Sequence, residues 1–447
     1  MTEAFDLLIR GGTSVTPCGV VAADIGVRGG RIAAIGTLTH APAAEIFEAR
    51  GLHVLPGVID THVHFREPGH LEKEDMETGS RAAVLGGVTA VFEMPNTSPP
   101  TTTRLLIEDK LKRAAQRMCC DHAFYVGASS ENIGALSELE LLAGVAGVKA
   151  FLGSSTGPLL LDKEEAILAA LKSGRRRIAV HSEDEARLRA RAKFAMPGDP
   201  ATHPIWRDVE TARLSTERII RLARLAGRRI HLLHVTSAEE LPLIADAHDL
   251  ATVEAAVPHL TLASPECYEQ LGTYAQINPP IREARHREAL WQAVAQGLID
   301  VVGSDHAPHT QADKQGIYPQ TASGLTGVQT LVTIMLDHVN AGRLSLERCV
   351  DLVSAGPARV FGIAGKGRIA QGYDADFTIV DLKARRRIEN RWIASRCGWT
   401  PYDGMDTTGW PVATLVRGHM VMQDGATLDA PKGQKLRFIE TLQPTAA

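Results

Sequence analysis

Residues 58–69 read Val58-Ile59-Asp60-Thr61-His62-Val63-His64-Phe65-Arg66-Glu67-Pro68-Gly69, and they close an apolar run that begins at Leu52. The run 52–59 predicts a buried strand. Residues two apart on a strand face the same side, so His62 and His64 can grip one metal ion. Arg66 continues the parity and brings a permanent cation beside it. Alone, a His-x-His pair reads as well as surface or core histidines. The choice between these readings lies further along the chain, where more ligand-type residues follow, each at the end of its own apolar strand.

Strand candidates recur at 52–59, 88–94, 122–127, 147–152, 177–181, 230–235, 251–256 and 300–304. Helix-like segments separate them: Glu77–Leu85, Arg104–Met118, Lys163–Lys172, Val209–Ala226, Ala238–Ala247 and Glu283–Ala295. Eight strands alternating with helices predict an α/β fold with parallel pairing, a (β/α)8 TIM-like barrel over residues 52–362. A doubly wound open sheet is the alternative. The barrel places chemistry at the C-terminal ends of its strands. The two ends of the chain differ in texture: Leu8-Ile9-Arg10-Gly11 near the start is echoed by Val416-Arg417-Gly418 near the end. Short apolar runs between glycine turns predict strands, and neither end is long enough for a core of its own. Residues 1–51 and 363–447 are therefore expected to pack together as one small β-sandwich domain.

The strand ends carry a series. His62 and His64 follow the first, Asn96 the second, and Lys149 sits between Val148 and Ala150 in the fourth. His181 ends the fifth, His234 the sixth, and Asp305 follows the eighth. Each has a plain alternative: a histidine hydrogen-bonded in packing, an aspartate capping a turn, a lysine in an ion pair. Together at matching ends, they read as a metal site, since imidazole and carboxylate suit zinc-like ions. Lys149 is the odd member, because an ammonium has donors and no acceptor. Desolvation favours the neutral amine, which reacts with carbon dioxide to give a carbamate. Such an anion can bridge two cations, and two metals ~3.5–4 Å apart can share a hydroxide.

Composition excludes other classes. The 447 residues are 44% hydrophobic and 22% charged with a net charge of −4, so there is no footprint for nucleic acid or an anionic membrane. No apolar run approaches the ~18 residues of a membrane span, and the acidic N-terminus lacks the features of a signal peptide. The six scattered cysteines suit a cytoplasmic protein.

The series His-x-His, Lys, His, His, Asp resembles the amidohydrolase superfamily. Within it, residues 62–69, Met94-Pro95-Asn96-Thr97, Ile277-Asn278-Pro279-Pro280-Ile281-Arg282 and Ser304-Asp305-His306-Ala307-Pro308-His309 resemble the dihydroorotases. The resemblance implies two zinc ions held by His62, His64, His181, His234, Asp305 and carboxylated Lys149, the last bridging with a hydroxide. It implies Asp305 as acid/base and Arg66, Asn96, Asn278, His309 and the Ser323-Gly324 backbone as substrate contacts. The reaction implied is reversible ring closure of N-carbamoyl-L-aspartate to L-dihydroorotate in pyrimidine synthesis, by a homodimer. Sister cyclic amidases acting on allantoin or dihydropyrimidines are the near alternative, and a non-catalytic scaffold subunit the distant one. Two features depart from the pattern or vary within it. Pro258-His259-Leu260 lacks one histidine of the usual His-His-Leu, leaving His259 as packing, and some relatives replace the lysine by aspartate. The glycine-rich stretch 153–157 reads as a site loop.

Overall fold

The computed structural model describes residues 4–155, 157–428 and 431–442. Its centre is a sheet of eight parallel strands in sequence order: β1 (Val58–Val63), β2 (Val88–Glu93), β3 (Asp121–Gly127), β4 (Val145–Phe151), β5 (Ile178–His181), β6 (Ile230–Leu232), β7 (Ala251–Ala256) and β8 (Val301–Gly303). The sheet closes where Val63 pairs in parallel with His306 and the His64 N–H donates to the His306 carbonyl at 2.7 Å. Helices alternate with the strands, among them Met76–Leu85, Arg104–Ala114, Glu164–Lys172, Val209–Ala226 and Ala284–Ala295. The barrel expected from the sequence is present, and the open sheet is excluded.

Local chemistry explains the elements. The helix Val209–Ala226 starts at Asp208, whose carboxylate accepts from the Thr211 N–H, and stops at Gly227 in the left-handed region. Such a cap is worth ~1 kcal/mol. Along the strands, side chains alternate. Val58, Val63, Val88, Val91, Phe124, Val126, Val148 and Val180 face the helices. Ile59, Ala90, Phe92, Ala123, Tyr125, Ala146 and Ala179 fill the interior, together with Phe361, Leu436 and Phe438. Each fully buried Val, Leu, Ile or Phe side chain among them contributes ~1.5–3 kcal/mol by leaving water.

Two details reposition the first strand. The predicted strand 52–59 is in fact two, divided at Gly57. His53–Pro56 pairs with Phe377–Arg387 and Thr13–Thr16 in the outer sheet, and only Val58 onward belongs to the barrel. A Cβ on Gly57 would lie 2.3 Å from Thr89 Oγ1 and 2.7 Å from Asp376 Cβ, so only glycine fits where the chain changes sheets. Further on, β1 has one extra residue against β2 between Asp60 and Val63. Bulges re-aim side chains beside active sites. Here the bulge takes in Thr61 and His62, so that Ile59 lies in the interior cluster, Val63 faces the helices, and His62 lines the cavity at the strand end.

Strands from both ends form two further sheets. One has four strands, all N-terminal, in the order Arg31–Gly36, Asp24–Arg28, Phe5–Arg10, Ala43–Glu48. The other has seven and mixes the ends, joining Thr13–Thr16, Gly19–Ala22 and His53–Pro56 to Phe377–Arg387, Asp406–Val416, His419–Gln423 and Ala426–Thr427. Leu7, Ile9, Ile25, Val27, Val54, Phe377, Ile379 and Leu415 make the core between them. Other parts of the C-terminal region return to the barrel. Leu436 and Phe438 enter its interior cluster. On the opposite rim, Trp399 donates to the His309 carbonyl at 2.7 Å.

Candidate active site

The C-terminal ends of the strands open into one cavity. Its lining includes His62, His64, Arg66, Asn96, Lys149, His181, His234, Asn278, Asp305, Ser323 and Gly324. Eleven of the twelve residues expected from the sequence therefore share one wall. The twelfth, His309, stands behind it with Nε2 3.2 Å from Arg66 Nη2. Ser155 of the expected site loop also lines the cavity, while Thr156 lies outside the described residues.

Among the described residues, His62, His64 and Asp305 bring three ligand-type atoms within 4.8 Å of one another. Asp305 Oδ1 lies 3.2 Å from His62 Nε2 and 3.3 Å from His64 Nε2. These contacts are not ion pairs in the ordinary sense, because burial holds His62 down to about 4 and His64 well below its usual value. His64 Nδ1 donates to Asn96 Oδ1 at 2.8 Å, so Nε2 turns a lone pair toward the Asp305 carboxylate. His62 Nδ1 meets Glu254 Oε1 at 2.7 Å. Burial, with the Asp305 charge next, pushes Glu254 up to about 8, so the cluster can retain a single proton. A lone pair facing a carboxylate repels unless a cation lies between them. The donor set fits a divalent metal, which would displace that proton.

A second pair stands beside the first. His181 Nε2 is 3.0 Å from Glu183 Oε2, and its Nδ1 is 3.1 Å from His234 Nε2. Burial alone would raise Glu183, but Arg207 and His181 bring it down to about 2. A charged Glu183 takes the Nε2–H, leaving the His181 Nδ1 lone pair toward His234. The His62 and His234 rings are 5.3 Å apart, joining the two groups. Lys149 is buried and makes no hydrogen bond or ion pair with the described residues; its Nζ lies 4.5 Å from the Phe151 ring centre. Burial pushes it down to about 7, with Asp305 and Glu254 opposing. Its charge acts on all four histidines. An uncommitted amine among neutral imidazoles is suited to react with carbon dioxide.

Arg66 is buried, with Nε donating to the Pro308 carbonyl at 3.1 Å. No carboxylate of the described residues lies within 4 Å of it. His309 Nδ1 is 3.2 Å from Lys73 Nζ, and Nε2 is 3.1 Å from the Ser323 carbonyl. An ammonium can only donate, so Nδ1 accepts and the ring proton sits on Nε2, directed at Ser323. That proton removes His309 as an acceptor for Arg66 Nη2. The guanidinium thus faces the cavity with donors to spare. Arg66 (φ 61°), His234 (φ 36°) and Asp305 (φ 48°) all hold left-handed backbone, at ~1–3 kcal/mol each, the kind of strain found where function fixes geometry.

The sequence reading missed Glu254, Arg207 and Lys73 and gave no role to Glu183. Glu254 could have been found: a lone charge in Val253-Glu254-Ala255-Ala256 is the same signal that singled out Lys149. His259 behaves as expected of packing, buried with Nε2 3.0 Å from the Pro279 carbonyl. Asn278 lines the cavity while its Oδ1 meets His203 Nε2 at 3.0 Å.

A barrel with this cluster at its C-terminal rim defines a class, and residues 53–421 match the Amidohydrolase family, to which the chain belongs. Its relatives within the family act on several rings. The chain is 38% identical to a dihydroorotase of Halobacterium salinarum over 93% of its length and 96% of the relative's. It is 36% identical to an allantoinase of Rubrobacter xylanophilus, covering 97% and 98%. Among solved structures it resembles the L-hydantoinase (dihydropyrimidinase) of Arthrobacter aurescens, with a TM-score of 0.91 and 31% identity over 97% of this chain and 99% of that one. The chain is thus a cyclic amidohydrolase.

Proposed function

We propose that this cyclic amidohydrolase is a dihydroorotase, interconverting N-carbamoyl-L-aspartate and L-dihydroorotate. The observation that carries the reading is the Arg66 guanidinium, buried at the cavity wall without a protein carboxylate. A buried charge without a partner is costly. A ring bearing its own carboxylate supplies that partner, and allantoin, hydantoin and dihydrouracil do not. Lys73 supports the same reading, since its contact with His309 Nδ1 is what keeps Arg66 Nη2 from being spent on His309.

Two zinc ions would suit the donor set, and His62, His64, Asp305, His181, His234 and a carbamate formed on Lys149 would be the groups to hold them. When bound, they lower the pKa of water to ~7 and polarise the ring carbonyl. The remaining steps belong to the protein. Arg66 clamps the substrate carboxylate through charge-assisted hydrogen bonds, and Asn278 and the Ser323 N–H orient the ring. Asp305 takes the proton of the attacking water and returns it to the departing ring nitrogen, as one well-placed carboxylate can do in both directions. Glu254 and Glu183 hold His62 and His181 in orientation, the usual second partners of ligating histidines. The test is hydrolysis of L-dihydroorotate by zinc-loaded protein against the same protein after chelation. Turnover should vanish with the metal and return on its addition. A fully zinc-loaded protein inert toward dihydroorotate would refute the assignment.

A further inference from the structure

Lys314 ends the short helix Gln311–Lys314 and has no exposed surface, although it lies outside the metal cluster. Its Nζ donates to the carbonyls of Gln276 at 3.1 Å, Ala322 at 2.8 Å and Gly324 at 3.1 Å. Three acceptors use all three donors of an ammonium. Burial pushes the group down to about 7, with Asp313 the opposing charge. The carbonyls come from two segments on the cavity wall, Gln276 preceding Ile277 and Asn278, and Ala322 and Gly324 flanking Ser323. Parallel ties join the same segments: Gln276 Nε2 donates to the Thr321 carbonyl and to Ser323 Oγ, both at 3.0 Å, and the Gly324 N–H donates to the Gln276 carbonyl at 2.9 Å. Gly324 is held close, since a Cβ there would meet the Ala307 carbonyl at 2.4 Å.

The bonding fixes which backbone group is left for a ligand. Gly324 spends its N–H on Gln276 and its carbonyl on Lys314, and the Ser323 carbonyl faces His309. The Ser323 N–H has no acceptor among the described residues. In a trans peptide the N–H points opposite to the preceding carbonyl, so binding the Ala322 carbonyl turns the Ser323 N–H away from the ammonium.

We propose that Lys314 is a positioning residue: by clasping the Ala322, Gly324 and Gln276 carbonyls it aims the Ser323 N–H at the substrate ring and preassembles that wall. This rests on the reading that the wall at 323–324 faces the substrate. The test uses the full-length, metal-loaded protein with Lys314→Met, which keeps the apolar stem, and Lys314→Gln, which keeps an amide donor. Hydrogen exchange of the amides at 321–325, measured without substrate, should speed up by about tenfold or more in Lys314→Met. KM for the ring turned over should rise about tenfold, with kcat within about threefold and metal content unchanged. Lys314→Gln should fall between it and the parent. Faster exchange with an unchanged KM, or a raised KM with unchanged exchange, would overturn the positioning role. Failure of both variants to fold would overturn it too, in favour of a purely structural lysine. The exchange readout needs no substrate, so it separates failure of the clasp from failure of the dihydroorotase assignment.

Discussion

Replacing Arg66 by Met retains most of the apolar stem and removes the fork of donors. Two losses follow, and the structure separates them. The first is internal: Nε no longer reaches the Pro308 carbonyl at 3.1 Å, costing ~1 kcal/mol of stability. The second is the substrate contact. A charge-assisted hydrogen bond is worth ~1.5–3 kcal/mol, and leaving a carboxylate buried without its partner costs ~2–5 kcal/mol. At ~1.4 kcal/mol per factor of ten, kcat/KM for dihydroorotate should fall by roughly 10- to 4,000-fold. Dihydrouracil has no carboxylate, so any turnover of it should fall far less. The assay is steady-state hydrolysis of both rings by parent and variant, with zinc content measured alongside and expected to stay at the parent value. The informative quantity is the ratio of the two losses. Equal losses on both rings at unchanged zinc would mean that Arg66 braces the wall rather than reading a carboxylate.

Asp305→Ala should retain appreciable zinc through the four histidines and Lys149 but lose ~10²–10⁴ in kcat; near-normal kcat would remove Asp305 as the proton carrier. Lys149→Ala should lose most activity and bind less than two zinc ions, with partial rescue by short carboxylic acids, and two tight ions with normal turnover would end the carbamate reading. The same lysine sets a pH dependence. Burial lowers it to about 7, and only the neutral amine reacts, so reconstitution of metal-free protein at fixed dissolved carbon dioxide should quicken about tenfold per pH unit below 7 and level off above it. A rate independent of pH between 5 and 7 would contradict this. Glu254→Gln keeps the shape beside His62 while removing the charge, and zinc affinity at the His62–His64–Asp305 group should fall ~10- to 100-fold; equilibrium dialysis showing unchanged affinity would leave Glu254 a packing residue.

The barrel was legible because its strands are apolar on both faces and its helices carry their own stop and start signals. Val209–Ala226 has Asp208 before it and Gly227 after it, and the expected bounds match those found. The ligand-type residues were legible for a related reason, since histidine and lysine stand out in such strands. What escaped was set by contacts between distant segments. Nothing local in Leu52–Ile59 shows that Gly57 passes between Thr89 and Asp376 and hands half the run to another sheet. The place of His62 in the cavity lining depends on a bulge defined only against β2. The role of Lys73 depends on His309, 236 positions later.

The most direct measurement is kcat/KM for L-dihydroorotate, allantoin, hydantoin and dihydrouracil, compared side by side on one preparation of known zinc content. A carboxylate-reading Arg66 requires dihydroorotate to exceed every carboxylate-free ring by at least the ~1.5–3 kcal/mol of its contact, or roughly ten- to a hundredfold. A protein with two zinc ions that prefers allantoin, hydantoin or dihydrouracil would contradict the assignment and place this chain with its sister amidases.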